Sequence, residues 1–230
     1  MLSFRIALRK LFLLIPLAFL AINFQGCDST ESNNSTVSLS FATPGSLQKI
    51  TDNTLTIDSV KILIRDVKLG YEAESEEDNG NDGKEASVKV GPFVVHLNLA
   101  GTTTEFAVSS IPEGTYNKVK FKIHKIEASE NPPDPEFKEG DDSSLRYSVI
   151  VKGNFNMQPF IYKSRKSAHQ KIQLDEPLVV IENTAANLSI TVDPSTWFLK
   201  GGKVLDPNNP DNRNDIDNNI KDSFKRCYKH

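Results

Sequence analysis

From Val37 to Val192 the apolar residues recur with a period of two, the repeat that puts them on one face of a pleated strand. Val37-Ser-Leu39-Ser-Phe41 alternates cleanly, and Leu55-Thr-Ile57 does so briefly. Val60-Lys-Ile62-Leu-Ile64 starts the same way, but Val67 and Leu69 fall on the opposite parity, which predicts a bulge near Arg65-Asp66. Further strands are predicted at Phe93–Leu99, Phe106–Val108, Val119–Ile123, Tyr147–Val151, Ile172–Leu174, Leu178–Ile181 and Leu188–Val192. Turn residues punctuate them at Ala100-Gly101, Pro112-Glu-Gly114, Asn131–Pro135, Gly153-Asn154 and Asn183-Thr184. Many short strands without crossover helices predict an all-β fold, an antiparallel sandwich or a barrel, and disfavour a parallel α/β sheet. One helix is expected at the end of the chain. There Ile216, Ile220, Phe224 and Cys227 form a stripe, Asp211 or Asn212 caps the start, and Lys225, Arg226 and Lys229 lie at the negative end. That stripe should pack on the sandwich beside Trp197 and Phe198, with Cys227 a buried thiol.

The amino terminus has a different pattern. Arg5, Arg9 and Lys10 precede the uncharged run Leu11–Ile22, which fits a secretory signal and is short for a membrane-spanning helix. Phe24-Gln25-Gly26-Cys27 follows, with a small residue directly before a cysteine, and this resembles the lipobox of bacterial lipoproteins although its earlier positions depart from the commoner pattern. The resemblance implies that residues 1–26 are a lipoprotein signal peptide and that Cys27 carries the acyl chains, a palmitate-type anchor strong enough to hold stably. A plain signal peptide cut near Gly26, or an uncleaved anchor helix, is the alternative. Residues 27–36 lack the apolar content to offset their ordering entropy and read as a flexible tether. The expected organisation is therefore signal peptide 1–26, tether 27–36, β-sandwich 37–200, and an Asn/Asp-rich loop with the helix over 201–230. Asp28 directly follows the cysteine, but sorting rules differ between phyla, so inner and outer membrane both stay open.

Ile111-Pro-Glu-Gly-Thr-Tyr116, running into Asn-Lys-Val119-Lys-Phe121-Lys-Ile123, resembles a segment that recurs in bacterial cell-envelope lipoproteins with transthyretin-like (prealbumin-like) sandwich domains. Pro112 sets φ for a turn, Gly114 permits a positive φ, and Tyr116 enters the next strand. Val95–Gly101 and Leu188–Asp193 look similar as well, so the resemblance spans about 37–200. It includes a domain class of unknown function, implies a lipid-anchored, non-catalytic envelope domain of the transthyretin/Ig-like sandwich type, and transfers no catalytic residue.

Composition narrows the chemistry. The chain holds 27 Lys+Arg against 30 Asp+Glu, and loss of residues 1–26 leaves 24 against 30, too acidic for general nucleic-acid binding. Two cysteines build neither a disulfide framework nor a cysteine-rich zinc site. None of His96, His124, His169 and His230 pairs at metal-ligand spacing, and the parity of their strands predicts that His96 and His124 project to polar faces. No Gly-x-Ser-x-Gly elbow, Walker-type loop or dinucleotide fingerprint occurs. No cofactor is expected apart from structural calcium, for which three acidic loops are candidates: Glu72–Asp82, Asp134–Asp142, and Asp206–Asp215. Asp206, Asn208 and Asp211 are the named ligand candidates, although their spacing departs from the EF-hand and solvated, turn-forming Asn/Asp is the preferred reading of the loop.

Lys118, Lys120, Lys122 and His124 share the outward parity of one strand, a ridge for an anionic glycan or phospholipid headgroup, or a solvated face that blocks edge pairing. Tyr71, Phe160 and Tyr162 are candidate sugar-stacking aromatics. The expected function is thus a lipid-anchored, non-catalytic binding or interaction module of the bacterial envelope, with a protein or glycan ligand. The rivals are a structural or assembly lipoprotein, such as an accessory subunit of a surface appendage that pairs strands at a sheet edge, and an unrecognised hydrolase with a carboxylate pair.

Overall fold

A computed structural model describes residues 35–44, 54–71 and 85–229. All of them fall in one of the two units into which the chain divides, 33–230. Cys27, the signal and tether segments, the Glu72–Asp82 loop and His230 lie outside the described residues.

The fold is mostly β. Its strands are β1 (Thr36–Ala42), β2 (Leu55–Tyr71), β3 (Glu85–Lys89), β4 (Phe93–His96), β5 (Thr103–Ser110), β6 (Gly114–Ile123), β7 (Val149–Phe155), β8 (Gln158–Ser164), β9 (Ala168–Val180), β10 (Ala185–Thr191), the short pair β11 (Leu199–Lys200) and β12 (Lys203–Val204), and β13 (Arg226–Lys229). One helix, α1 (Arg213–Asp222), precedes the last strand. The main sheet runs β5-β1-β10-β13-β9-β6-β2-β7-β8, with β3 and β4 also paired to β2. Its ladders are not all antiparallel, because β1 runs parallel to β10 and β13 parallel to β9.

Strand β2 organises the sheet. Its first half pairs with β7 and its second half with β6, on the same edge. The handover falls at Leu63, whose N–H donates to Ser148 O (2.9 Å) while its carbonyl accepts from His124 N (2.8 Å). On the opposite edge, β4 pairs with the middle of β2 and β3 with its end. The expected bulge is present: the β2–β6 register shifts between Arg65 and Lys68, and Asp66 takes φ 56°. The sheet then curls until β3 and β5 approach each other. There Lys89 Nζ donates to Phe106 O (2.9 Å), and the Phe93 ring lies 6.4 Å from that of Phe106. Inside the curl the rings of Phe41, Phe106, Phe121 and Phe224 pack at 4.4–5.8 Å.

The Pro-Glu-Gly-Thr-Tyr turn behaves as its residues dictate. Gly114 sits at φ 150°, and a Cβ there would meet the Tyr71 ring at 2.5 Å. The Tyr116 hydroxyl donates back to Pro112 O (2.8 Å), and its ring is fully buried against Tyr71.

The carboxyl-terminal segment departs from expectation. The helix ends at Asp222, so Ile216 and Ile220 belong to it, whereas Phe224 follows it and Cys227 lies in β13. Extending the helix would add one backbone bond per residue on one element. The strand instead fills the gap between β10 and β9 and answers open backbone groups on both. Cys227 is buried there, and burial pushes its thiol up to about 12. Asn219 Nδ2 on the helix donates to Trp197 O (2.9 Å) and Leu199 O (2.8 Å), and Trp197 and Phe198 are fully buried. The start of the helix is capped differently, since Asn209 accepts from Asp211 N to begin a 3₁₀ turn at Pro210–Asn212, and Asn212 makes no side-chain cap bond.

A second, smaller core lies on the other face of β2. Residues 124–148 fold back over it as a cap, burying Leu63, Ile126, Phe137, Tyr147 and Ile150 together. Ion pairs ring this cap. Lys61 reaches Asp134 (2.6 Å) and Glu136 (2.7 Å), Lys152 reaches Glu136 (2.5 Å), Lys163 pairs with Glu139, and Arg65 reaches Glu130 (2.6 Å).

Candidate functional site

The outer face of β2, β6 and β9 carries a cationic groove of about 680 Å³. Alternation builds it: Val119, Phe121 and Ile123 point into the core, so Lys118, Lys120 and Lys122 point out, and on β9 the partners of Ile172 are Lys171 and Gln173. Long-range register then aligns the charges. Lys68 on β2 stands opposite Lys120, and Lys120 stands opposite Lys171, giving one row across three neighbouring strands about 5 Å apart. The flanking rows are Arg65–Lys122–His169 and Gly70–Lys118–Gln173. Like charges placed directly opposite cost stability, so this row is maintained against its own repulsion.

One carboxylate relieves part of it. Glu85, at the start of β3, takes Lys68 on one oxygen (2.9 Å) and Lys120 on the other (2.5 Å). Burial pushes the Glu85 carboxyl up, but the two ammonium groups outweigh it and hold the group below its ordinary value. Lys118 is pushed down by burial and by the charges of Lys171 and Lys120. Its stem lies across β2 over Gly70, where a Cβ would come within 2.3 Å of the lysine Cε. Among the described residues Lys118, Lys122 and Lys171 form no ion pair. Arg65 is turned away to Glu130 and to Asp66 (3.3 Å).

The other sequence candidates fall elsewhere. His124 is not on an exposed face: it is buried under the cap, with Nε2 2.6 Å from Glu130 Oε2, because the chain leaves β6 at Ile123 and folds over its own outward side. His96 and His169 are exposed, and only His169 borders the groove. Phe160 and Tyr162 are core residues rather than a sugar platform. They face inward from β8, and the Tyr162 hydroxyl donates to Asp217 Oδ1 (2.8 Å) on α1. Tyr71 is half-buried on Tyr116.

In the third acidic loop, Asp206 Oδ1 accepts from Asn208 N (2.9 Å), while Asp211 N donates to Asn209 Oδ1 (2.9 Å), so Asx turns engage both segments. The second loop spends its carboxylates on lysines except at Asp142, which accepts from Ser144 N (2.7 Å). Lys61 holds Asp134 below its ordinary range, Lys152 and Lys61 do so for Glu136, and Lys163 and the Tyr147 hydroxyl for Glu139. Among the described residues no three His, Cys, Asp or Glu side chains converge as a metal site. The sequence pattern showed only the β6 part of the groove. Lys171 was visible as the polar parity beside Ile172 and Leu174, but Lys68 and Glu85 join through pairing that no local signal marks.

No protein-family model matches the chain, and no curated protein matches it. Among solved structures, MbnP from Methylosinus trichosporium is similar, at 11% identity over 77% of this chain and 86% of that one, with a TM-score of 0.45.

Proposed function

We propose that this protein is a lipid-anchored, non-catalytic binding module of the bacterial cell envelope, tethered at Cys27, that meets an anionic envelope component through the lysine groove of β2, β6 and β9. The observation that carries the reading is the in-register row Lys68–Lys120–Lys171, with one shared carboxylate among its cations. The sequence resemblance to envelope lipoproteins with transthyretin-like domains supports the setting. A hydrolase is disfavoured because the carboxylates of the cap are held below their ordinary range by lysines, opposite to the raised value a general acid needs. Assembly through an open sheet edge is disfavoured too. Pro159 interrupts the donors of β8, and Arg213 Nη1 donates to Lys163 O (2.7 Å) on that strand, while Lys89 takes Phe106 O on β5.

Two variants of the full-length protein test the two halves of the proposal. Cys27→Ser should move it from the membrane fraction to the soluble fraction, and unchanged partitioning rejects the anchor. In the Cys27→Ser background, where no acyl anchor holds the protein, Lys122→Glu with Lys171→Glu should abolish binding to isolated envelope material. Binding equal to that of Cys27→Ser alone, with an unchanged melting point, rejects the groove.

A further inference from the structure

We infer that the groove recognises phosphate groups, and that Glu85 is a resident anion that competes with them for the central lysines. The inference rests on the reading of the groove as the ligand-facing surface and names the chemistry of its ligand.

Three features of the face point this way. Among the described residues its free side-chain cations are lysines, compact point charges with three N–H bonds each that suit a multiply charged tetrahedral oxyanion approached from several sides. The one guanidinium nearby, Arg65, is already engaged by Glu130 and Asp66, so the planar fork that favours bidentate carboxylate recognition is withheld. The cations also form a grid. Rows follow the strand spacing of about 5 Å, and alternate residues along β6 repeat every ~6.6 Å, so a ligand with more than one phosphate meets several ammonium groups together.

Glu85 occupies the middle of that grid. Its side chain is only 9% exposed, and each oxygen already serves one lysine of the row. An incoming phosphate seated on Lys120 and Lys171 therefore lies beside a fixed negative charge. Glu85 thus keeps the unliganded lysine row from repelling itself and at the same time weakens the hold on an anion. Gly70 has a matching role, since its missing Cβ leaves the space across which Lys118 extends.

The test uses full-length Cys27→Ser protein titrated with inorganic tripolyphosphate, with citrate as a carboxylate control and with pyrophosphate, whose charge is close to that of citrate, to separate phosphate chemistry from charge. Tripolyphosphate should bind, more weakly as salt is raised, and citrate should bind less well. Lys122→Ala with Lys171→Ala removes two cations that make no ion pair and should weaken tripolyphosphate by about tenfold or more. Glu85→Gln should tighten it several-fold even as it lowers the melting point, a direction that a purely structural role for Glu85 does not give.

A second arm mixes the protein with vesicles of phosphatidylglycerol in phosphatidylcholine. Co-sedimentation that tripolyphosphate reverses supports the inference and makes the source a lipid headgroup. Tripolyphosphate binding without co-sedimentation supports it and makes the source a glycan or free phosphate. Citrate binding as tight as tripolyphosphate, or Glu85→Gln weakening the affinity, overturns the inference while leaving a cationic groove that binds anions. If the lysine variants retain wild-type binding to envelope material, the proposed function falls with it.

Discussion

Removing residues 226–230 tests the least expected feature of the fold, the insertion of β13 between β10 and β9. Four residues are lost from the sheet, pairing with β10 from Leu188↔Lys229 to Thr191↔Arg226 and with β9 at Cys227↔Leu174. At about 1 kcal/mol net per ladder residue, backbone hydrogen bonding contributes about 4 kcal/mol. The fully buried Cys227 side chain adds about 1 kcal/mol of apolar burial. The sum of about 5 kcal/mol is comparable with the whole stability of a small domain, ~5–15 kcal/mol. At ~2–4 °C per kcal/mol for a domain of this size, the midpoint should fall by about 10–20 °C or the transition disappear. Two probes read it, far-ultraviolet circular dichroism for the sheet and fluorescence of the single tryptophan, Trp197, which is buried beside α1. Both signals should shift together, with the Trp197 emission moving to the red. Arg226→Gln serves as the control, because it removes only an exposed pair with Asp175 and should leave the midpoint nearly unchanged. A truncated chain melting within about 3 °C of the full one would refute the reasoning, since at ~2–4 °C per kcal/mol that leaves no room for a central strand.

Two further predictions concern the cap and the β2–β7 ladder. Asp134, Glu136 and Glu139 are depressed by their lysine partners, and Glu130 is depressed by the Glu127 N–H and His124 against its burial, so all four stabilise the cap when ionised. Groups depressed on folding give stability that is complete above their unfolded values of 3.8–4.5 and is lost as pH falls through the lower folded ones. Stability should therefore be flat above about pH 5 and drop below it, with dye binding reporting exposure of Phe137 and Ile150. Lys61→Met should flatten that drop, and an unaltered pH profile in this variant contradicts the role of these ion pairs in holding the cap. Gly153→Ala would put a Cβ 2.0 Å from the Thr56 carbonyl oxygen, so β7 must shift, at a cost of about 1–3 kcal/mol. A melting temperature equal to wild type would show that the two strands are not in this register.

Local alternation was enough to place most strands and the side each residue faces. Val119-Lys-Phe121-Lys-Ile123 reads as a half-buried strand from its period alone, and the parity change after Ile64 marks the bulge found at Asp66. Gly114 and Tyr116 likewise announce their turn, because the required φ and the four-residue reach to Pro112 are local properties. What period cannot specify is which strand lies beside which. Lys68, Lys120 and Lys171 are 52 and 51 residues apart in sequence, and they form one row only because β2, β6 and β9 are adjacent in a particular register. The same limit hid Glu85, the return of residues 124–148 over His124, and β13, whose Cys227 continues, after Phe224, a helical spacing that two open sheet edges overrule. Backbone hydrogen bonding between distant strands is decided by the assembled sheet, whereas the inward or outward choice at each position is a property of neighbouring residues.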